Sequence, residues 1–211
     1  MRRTIALVAW WCLILGAGTA SAGTYENLVA RARAGDASLD YRALRDAYAE
    51  TPAYQPYGGN TDAPKRAMHD AFNAQDCGKV LAAADKVLAE IFVDIEAHLL
   101  SARCFEVGGD QAKAGAHRAI AKGLMDSIVA SGNGKTPKTA FIVVTIDEEY
   151  AVLSALRWRR VSQSLINDDG HAFDRMDVKS ATSEETATLF FQIDRPMTWL
   201  SRQLGTDSKQ P

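Results

Sequence analysis

The sequence predicts an α+β fold, a helical N-terminal layer packed on a small, mostly antiparallel C-terminal β-sheet. Three observations carry this. Up to about residue 131 the apolar residues recur at helical spacing. From residue 132 they gather in short β-branched and aromatic runs. Between two of those runs lies Asp168-Asp169-Gly170, a hairpin turn signal.

Each element has its own justification. Tyr25–Ala34 and Tyr41–Glu50 read as opening helices, the second capped by Asp40 and ended by Pro52. The Pro- and Gly-rich stretch 51–60 is a loop, and its Tyr54 and Tyr57 are expected to fold over the core as a clasp or to stack on a ligand. Ala63–Ala74 is a third helix. Cys77–Glu90 is the clearest, because Val80, Leu81, Ala84, Val87, Leu88 and Ile91 fall on one helical face. Asp94–Val107 follows and stops at Gly108-Gly109; Asp110 opens a helix reaching about Ala130. Lys138–Ile146, with Phe141 to Val144 continuously apolar, predicts a central strand buried on both faces. Glu148–Arg157 is a short helix that Asp147 can cap. Arg160–Asn167 and His171–Lys179 form the hairpin. Thr186–Ile193 alternates, placing Ala187, Leu189, Phe191 and Ile193 on one face. Pro196 opens a last helix, Met197–Leu204, and residues 205–211 form a polar, flexible tail.

Residues 1–22 carry the marks of a cleavable export signal: Arg2 and Arg3, an apolar run from Ile5 to Gly16, and Ala20-Ser21-Ala22. Cleavage before Gly23 would leave one domain, 23–204, with a helical part to residue 131 and a sheet part after it. Cys12 lies in the apolar run without the context of a lipid-attachment site. Losing the two arginines takes the net charge from −2 to −4. That balance lacks the basic footprint of a nucleic-acid binder. No later segment is apolar for long enough to hold the chain in a bilayer, so the expected location is periplasmic or secreted. Cys77 and Cys104 remain, one at the start of a helix and one near the end of the next. In an oxidising compartment they suit a disulfide; as two buried thiols they would pack as small apolar groups.

The helices also keep a rhythm. Asp76 and Asp110 precede helices 34 residues apart, and small residues, Ala82 to Ala84 in one and Ala112, Ala116 and Ala119 in the other, are read as inner faces. The spacing resembles the tetratricopeptide repeat over about one and a half repeats, without most of its aromatic signature. A larger pattern follows. The hairpin with His98 and His117 leads to Gly123-Leu-Met-Asp-Ser-Ile128, then Ser131-Gly-Asn-Gly-Lys135, Thr139-Ala-Phe141, Asp147-Glu-Glu-Tyr150 and Gly170-His-Ala-Phe-Asp174. This is similar to the exported bacterial family known as domain of unknown function 4919. The resemblance spans nearly the whole exported chain. It implies that residues 23–204 form one unit, and it brings no activity, ligand or catalytic residue with it.

Chemistry-bearing groups are few. Gly132-Asn-Gly-Lys-Thr136 fails as a phosphate loop: the first glycine is replaced by Val129, and the loop follows a helix and precedes a strand. Its glycines are expected to end the helix. His98 and His117 sit on apolar stripes of adjacent helices and are expected to share a seam as packed, hydrogen-bonded rings; the alternative is that they bind a ligand or metal or shuttle protons. Two imidazoles without a third donor bind a metal only weakly. Asp147-Glu148-Glu149 leaves the predicted strand, and Glu148 and Glu149 with His171 are the candidate catalytic set. The bland alternative is that acids favour the first turn of a helix. Arg157-Trp158-Arg159-Arg160 is read as a polar strand face or as partners for those acids. No nucleophile, zinc-protease or redox motif occurs, and no cofactor is indicated. The expected function is a non-catalytic, protein- or peptide-binding module of the cell envelope. The alternatives are an enzyme or small-molecule or metal binder with a His/carboxylate pocket between helices and sheet, and a scaffold with no pocket.

Overall fold

The computed structural model describes residues 24–205. The expected export signal, its cleavage site, Cys12 and the tail beyond Gly205 lie outside the described residues. Six helices come first: α1 (Tyr25–Arg33), α2 (Tyr41–Ala49), α3 (Asp62–Asn73), α4 (Cys77–Glu90), α5 (Ile95–Val107) and α6 (Gln111–Val129). A 3-10 turn at Pro137–Thr139 leads to β1 (Phe141–Ile142) and α7 (Ile146–Ala155). Then come β2 (Trp158–Asp168), β3 (His171–Ser180), β4 (Thr186–Gln192) and α8 (Asp194–Gln203). The architecture is α+β, as the change of pattern near residue 132 predicts.

Aspartates start four of the described helices, α2, α4, α5 and α6. Asp40 accepts from the amides of Arg42 and Ala43, Asp76 from Lys79, Asp94 from Ala97 and Asp110 from Lys113. Each such cap is worth about 0.5–2 kcal/mol over alanine. Helices α3 to α6 pack in sequence order, each against the next. Cys77 and Cys104 form a disulfide across the α4–α5 hairpin, with Cα atoms 5.1 Å apart. The bridge lies in a cluster of its own, with Met68, Ala71, Val80, Ala84, Val87 and Ala97. The supposed inner alanines of α6 prove exposed: Ala112, Ala116 and Ala119 face out, and Ala114 and Ala121 face in. Ala82 is exposed too, unlike Ala83 and Ala84.

The sheet runs β1-β4-β3-β2. Strands β2, β3 and β4 are antiparallel, and β1 is parallel to β4. The alternation read in β4 holds. Leu189 and Phe191 pair with Met176 and Asp174 of β3 and join the main core, together with Leu44, Tyr48, Leu124, Ile128 and Val152 of the helices. The hairpin turns at Asp169 and Gly170, both with positive φ.

The expected central strand over 138–146 is corrected. Only Phe141 and Ile142 pair, at the sheet edge. Beyond them the Val144 carbonyl accepts from the Tyr54 hydroxyl, and the Val144 amide donates to Glu148. Side chains satisfy this backbone where a neighbouring strand would otherwise do so. The glycine loop serves the same junction. A Cβ on Gly132 would lie 2.3 Å from the Thr139 carbonyl, and Gly134, at φ 70°, accepts from the Phe190 amide of β4. Helix α7 begins earlier than read, at Ile146, so Asp147 lies inside its first turn and caps nothing.

Candidate functional site

Three consecutive acids in the first turn of α7 point three ways, because successive helical residues are rotated by about 100°. Glu148 goes into the interior. There Arg45 of α2 grips it with two bonds of 2.7 Å, from Nε to Oε1 and from Nη2 to Oε2. The Val144 amide also donates to Oε2, at 2.8 Å. Arg45 completes its set with the Ile142 carbonyl (2.8 Å) and Ser127 Oγ (3.2 Å). Both side chains are only 3% exposed. Burial alone would lower the guanidinium pKa, but Glu148 overcomes this and raises it. The pair therefore ties α2, α6, the end of β1 and α7 together.

Asp147 goes outward, to Lys65 of α3. Lys65 also meets Asp94, the α5 cap, at 2.6 Å. Burial opposes the ammonium, and the two carboxylates outweigh it, so Lys65 is held above its ordinary value. Beside this bridge opens a cleft of about 420 Å³ between α5, α6 and α7. Val93, Ile95, Leu100, Met125 and Ala151 supply apolar wall, and Asp94, Glu96 and Asp147 supply acid. Leu99 (48% exposed) and Tyr150 (41%) form its open lip. Burial first raises the Glu96 carboxyl, against the attraction of His69 3.4 Å away.

Glu149 goes toward the sheet. It is fully buried, and neither carboxyl oxygen meets a donor in good hydrogen-bond geometry. Burial first, then the negative charge of Asp174, push Glu149 up to about 9. At neutral pH it is an uncharged acid. Asp174 is itself raised, chiefly by burial, although Gln163 Nε2 donates to it at 2.7 Å.

The other candidate residues lie apart from this turn. His171 is exposed at the hairpin, where Asp194 (2.6 Å) and Gln192 (2.9 Å) meet its Nδ1. The structure does not bring it to Glu148 or Glu149. His98 and His117 do meet, Nδ1 to Nδ1 at 2.9 Å. His98 Nε2 lies 2.8 Å from the Phe92 carbonyl, which can only accept, so His98 Nδ1 is the acceptor and His117 the donor. Burial lowers His98 to about 4. Tyr54 is buried as the clasp, whereas Tyr57 is partly exposed against Trp199 and Met197 of α8. Among the described residues no three of His, Cys, Asp or Glu gather as metal donors.

Arg45 and Lys65 escaped the sequence reading, and Asp174 entered it only as part of the family pattern, not as a site residue, though Arg45 and Asp174 left a trace. Arg45 lies four residues after Tyr41 and three before Tyr48, on the apolar stripe of α2. Asp174 alternates with Ala172, Met176 and Val178, which is an inward register. A charge on an inward position signals a buried partner. Lys65 gave no such signal.

Fold and site together define an α+β protein with an acidic helix turn set into the junction of a helical layer and a mixed sheet. The chain belongs to the family described as Domain of unknown function (DUF4919), whose model matches residues 17–202. No curated protein and no solved structure matches it. No described helix is long and apolar enough to cross a membrane, and the disulfide is consistent with an oxidising compartment.

Proposed function

We propose that this chain is a non-catalytic binding module of the cell envelope that holds a segment of a partner protein or peptide in the α5–α7 cleft. The observation that carries the reading is the make-up of the cleft: apolar walls, an exposed Leu99–Tyr150 lip and, at one side, Asp94, Glu96 and Asp147, which outnumber the Lys65 cation they surround. Such a surface fits an aliphatic side chain next to a lysine or arginine. The serial packing of α3 to α6, with its tetratricopeptide-like spacing, supports a helical layer that presents a groove. The disulfide and the residue 1–22 pattern support export, with Gly23 as the first residue of the exported protein. Intact-mass measurement of that protein tests the cleavage.

Fluorescence anisotropy with labelled amphipathic peptides of basic, neutral and acidic type tests the binding. The basic aliphatic peptide should bind best and weaken at high salt, and Leu99→Asp should abolish the signal. No binding by any peptide, or binding indifferent to Leu99→Asp, would refute the reading. One observation favours an enzyme instead: a neutral, buried Glu149 beside Asp174 is the pairing that acid catalysis uses. Turnover of chromogenic ester or glycoside substrates, lost in Glu149→Gln, would put that reading first.

A further inference from the structure

Strand β2 is an edge strand of 11 residues that, among the described residues, pairs only with β3. Most of it is exposed, including Val161 (67%) and Leu165 (52%). Proteins usually protect such an edge with charge, proline, a bulge or a cover, because its free amides and carbonyls can template another strand. Here protection is confined to the two ends. The bulge falls between Arg160 and Ser162, next to Arg157, Arg159 and Arg160. From Ser162 to Asn167 the strand has no charge and no proline, and it ends at Asp168 and Asp169.

We infer that β2 pairs antiparallel with β2 of a second copy of this chain, joining two four-stranded sheets into one of eight strands about a two-fold axis at Leu165. Charge selects the partner and the direction. The strand is basic where it begins and acidic where it ends. Antiparallel self-pairing sets each arginine cluster beside the partner's aspartates, whereas parallel pairing would align like charges. The bulge selects the register. The regular stretch is 162–168, and its midpoint is Leu165. Ser162 then faces Asp168 of the partner subunit, and Gln163 faces Asn167 of the partner subunit. The two Leu165 side chains meet on one face, as residues directly opposite in an antiparallel pair do. The pairing closes on itself, because the outer strand at the other edge, β1, is only two residues long and offers no ladder to extend.

Sedimentation equilibrium of the purified full chain, oxidised at Cys77–Cys104, should show a monomer–dimer equilibrium. Leu165→Lys should weaken it by roughly a hundredfold, the effect of stranding a charge at the centre of an interface. Arg159→Glu and Asp168→Lys should each weaken the dimer, and the double variant should restore it. Leu165→Cys should cross-link copies in air, while Ile166→Cys, on the opposite face, should not exceed the unsubstituted chain. Circular dichroism and melting temperature confirm that each variant is folded. A monomer at all concentrations, a dimer insensitive to these changes, equal cross-linking at 165 and 166, or a dimer that appears only after residues 206–211 are removed would overturn the inference.

Discussion

Replacing Glu149 by glutamine removes one ionisable group from the seam between α7 and the sheet while keeping its shape. In the unfolded chain this carboxyl titrates at its ordinary 4.5; in the fold it is pushed up to about 9. A raised carboxyl means that the folded state binds the extra proton. Its stabilising effect is therefore complete below pH 4.5 and is lost as pH rises toward 9. At about 1.36 kcal/mol per pH unit, holding that proton costs the fold about 3 kcal/mol at pH 7 and about 5 kcal/mol at pH 8. Asp174 of β3 and Glu148 of α7 raise it, and Arg160 of β2 lowers it. Tyr57 of the loop before α3 is raised first by burial, then by Asp174 and Glu149. Glutamine has no proton to lose, and its amide can donate to Asp174. Urea unfolding of both proteins from pH 5 to pH 8 should give near-equal stabilities at pH 5, with a gap that widens in favour of Glu149→Gln as pH rises. A gap independent of pH, or a variant less stable than the parent at pH 8, would refute the reasoning.

Arg45→Met should destabilise by about 3–5 kcal/mol, because it leaves Glu148 buried without its cation, and Arg45→Met with Glu148→Leu should recover part of that loss in the same urea assay, the remainder being the Val144 amide and Ile142 carbonyl left without partners. Cys104→Ser should cost about 3–4 kcal/mol, since the bridge spans a sequence separation of 27, and reductant should lower the melting temperature of the parent but not of the variant. His98, lowered to about 4, should stay neutral in NMR titration down to about pH 5. Its contribution is present above the ordinary histidine value of 6.5 and lost as pH falls through 4; His98→Leu, which strands the Phe92 carbonyl, should cost about 1–3 kcal/mol at pH 7.

Elements with a strong period were readable from the sequence, and so were their caps. Val80, Ala84, Val87 and Leu88 lie on one face of α4, and Asp40 and Asp110 mark real starts. The hairpin was readable from three residues at its turn. The stretch Phe141–Val144 was not, because an apolar run records burial without recording what satisfies its backbone. Tyr54, from a loop ninety residues away, and Glu148 decide that. The exposed alanines of α6 show a related limit: alanine suits helix interiors and helix surfaces alike, so its spacing says little about which face turns inward. In the site, the acids of α7 were visible as a group, but their separate fates were not. Those depend on Arg45, Lys65 and Asp174, each on a different element, and only contacts distant in sequence bring them together.

Helix α5 belongs to two clusters at once. Ile95 packs in the main core, while Ala97 and Cys104 pack with the bridged α3–α4 group. The cleft is cut along that division, with Val93 and Ile95 from one cluster and Leu100 from the edge of the other. If each cluster opens as a unit of its own, the seam is the cooperativity boundary between them. An occupant touching both walls fastens one unit to the other. Amide exchange would then slow in α4, which supplies none of the residues lining the cleft. Occupancy would thus be reported at a distance through shared opening, without any change in the average positions of the helices.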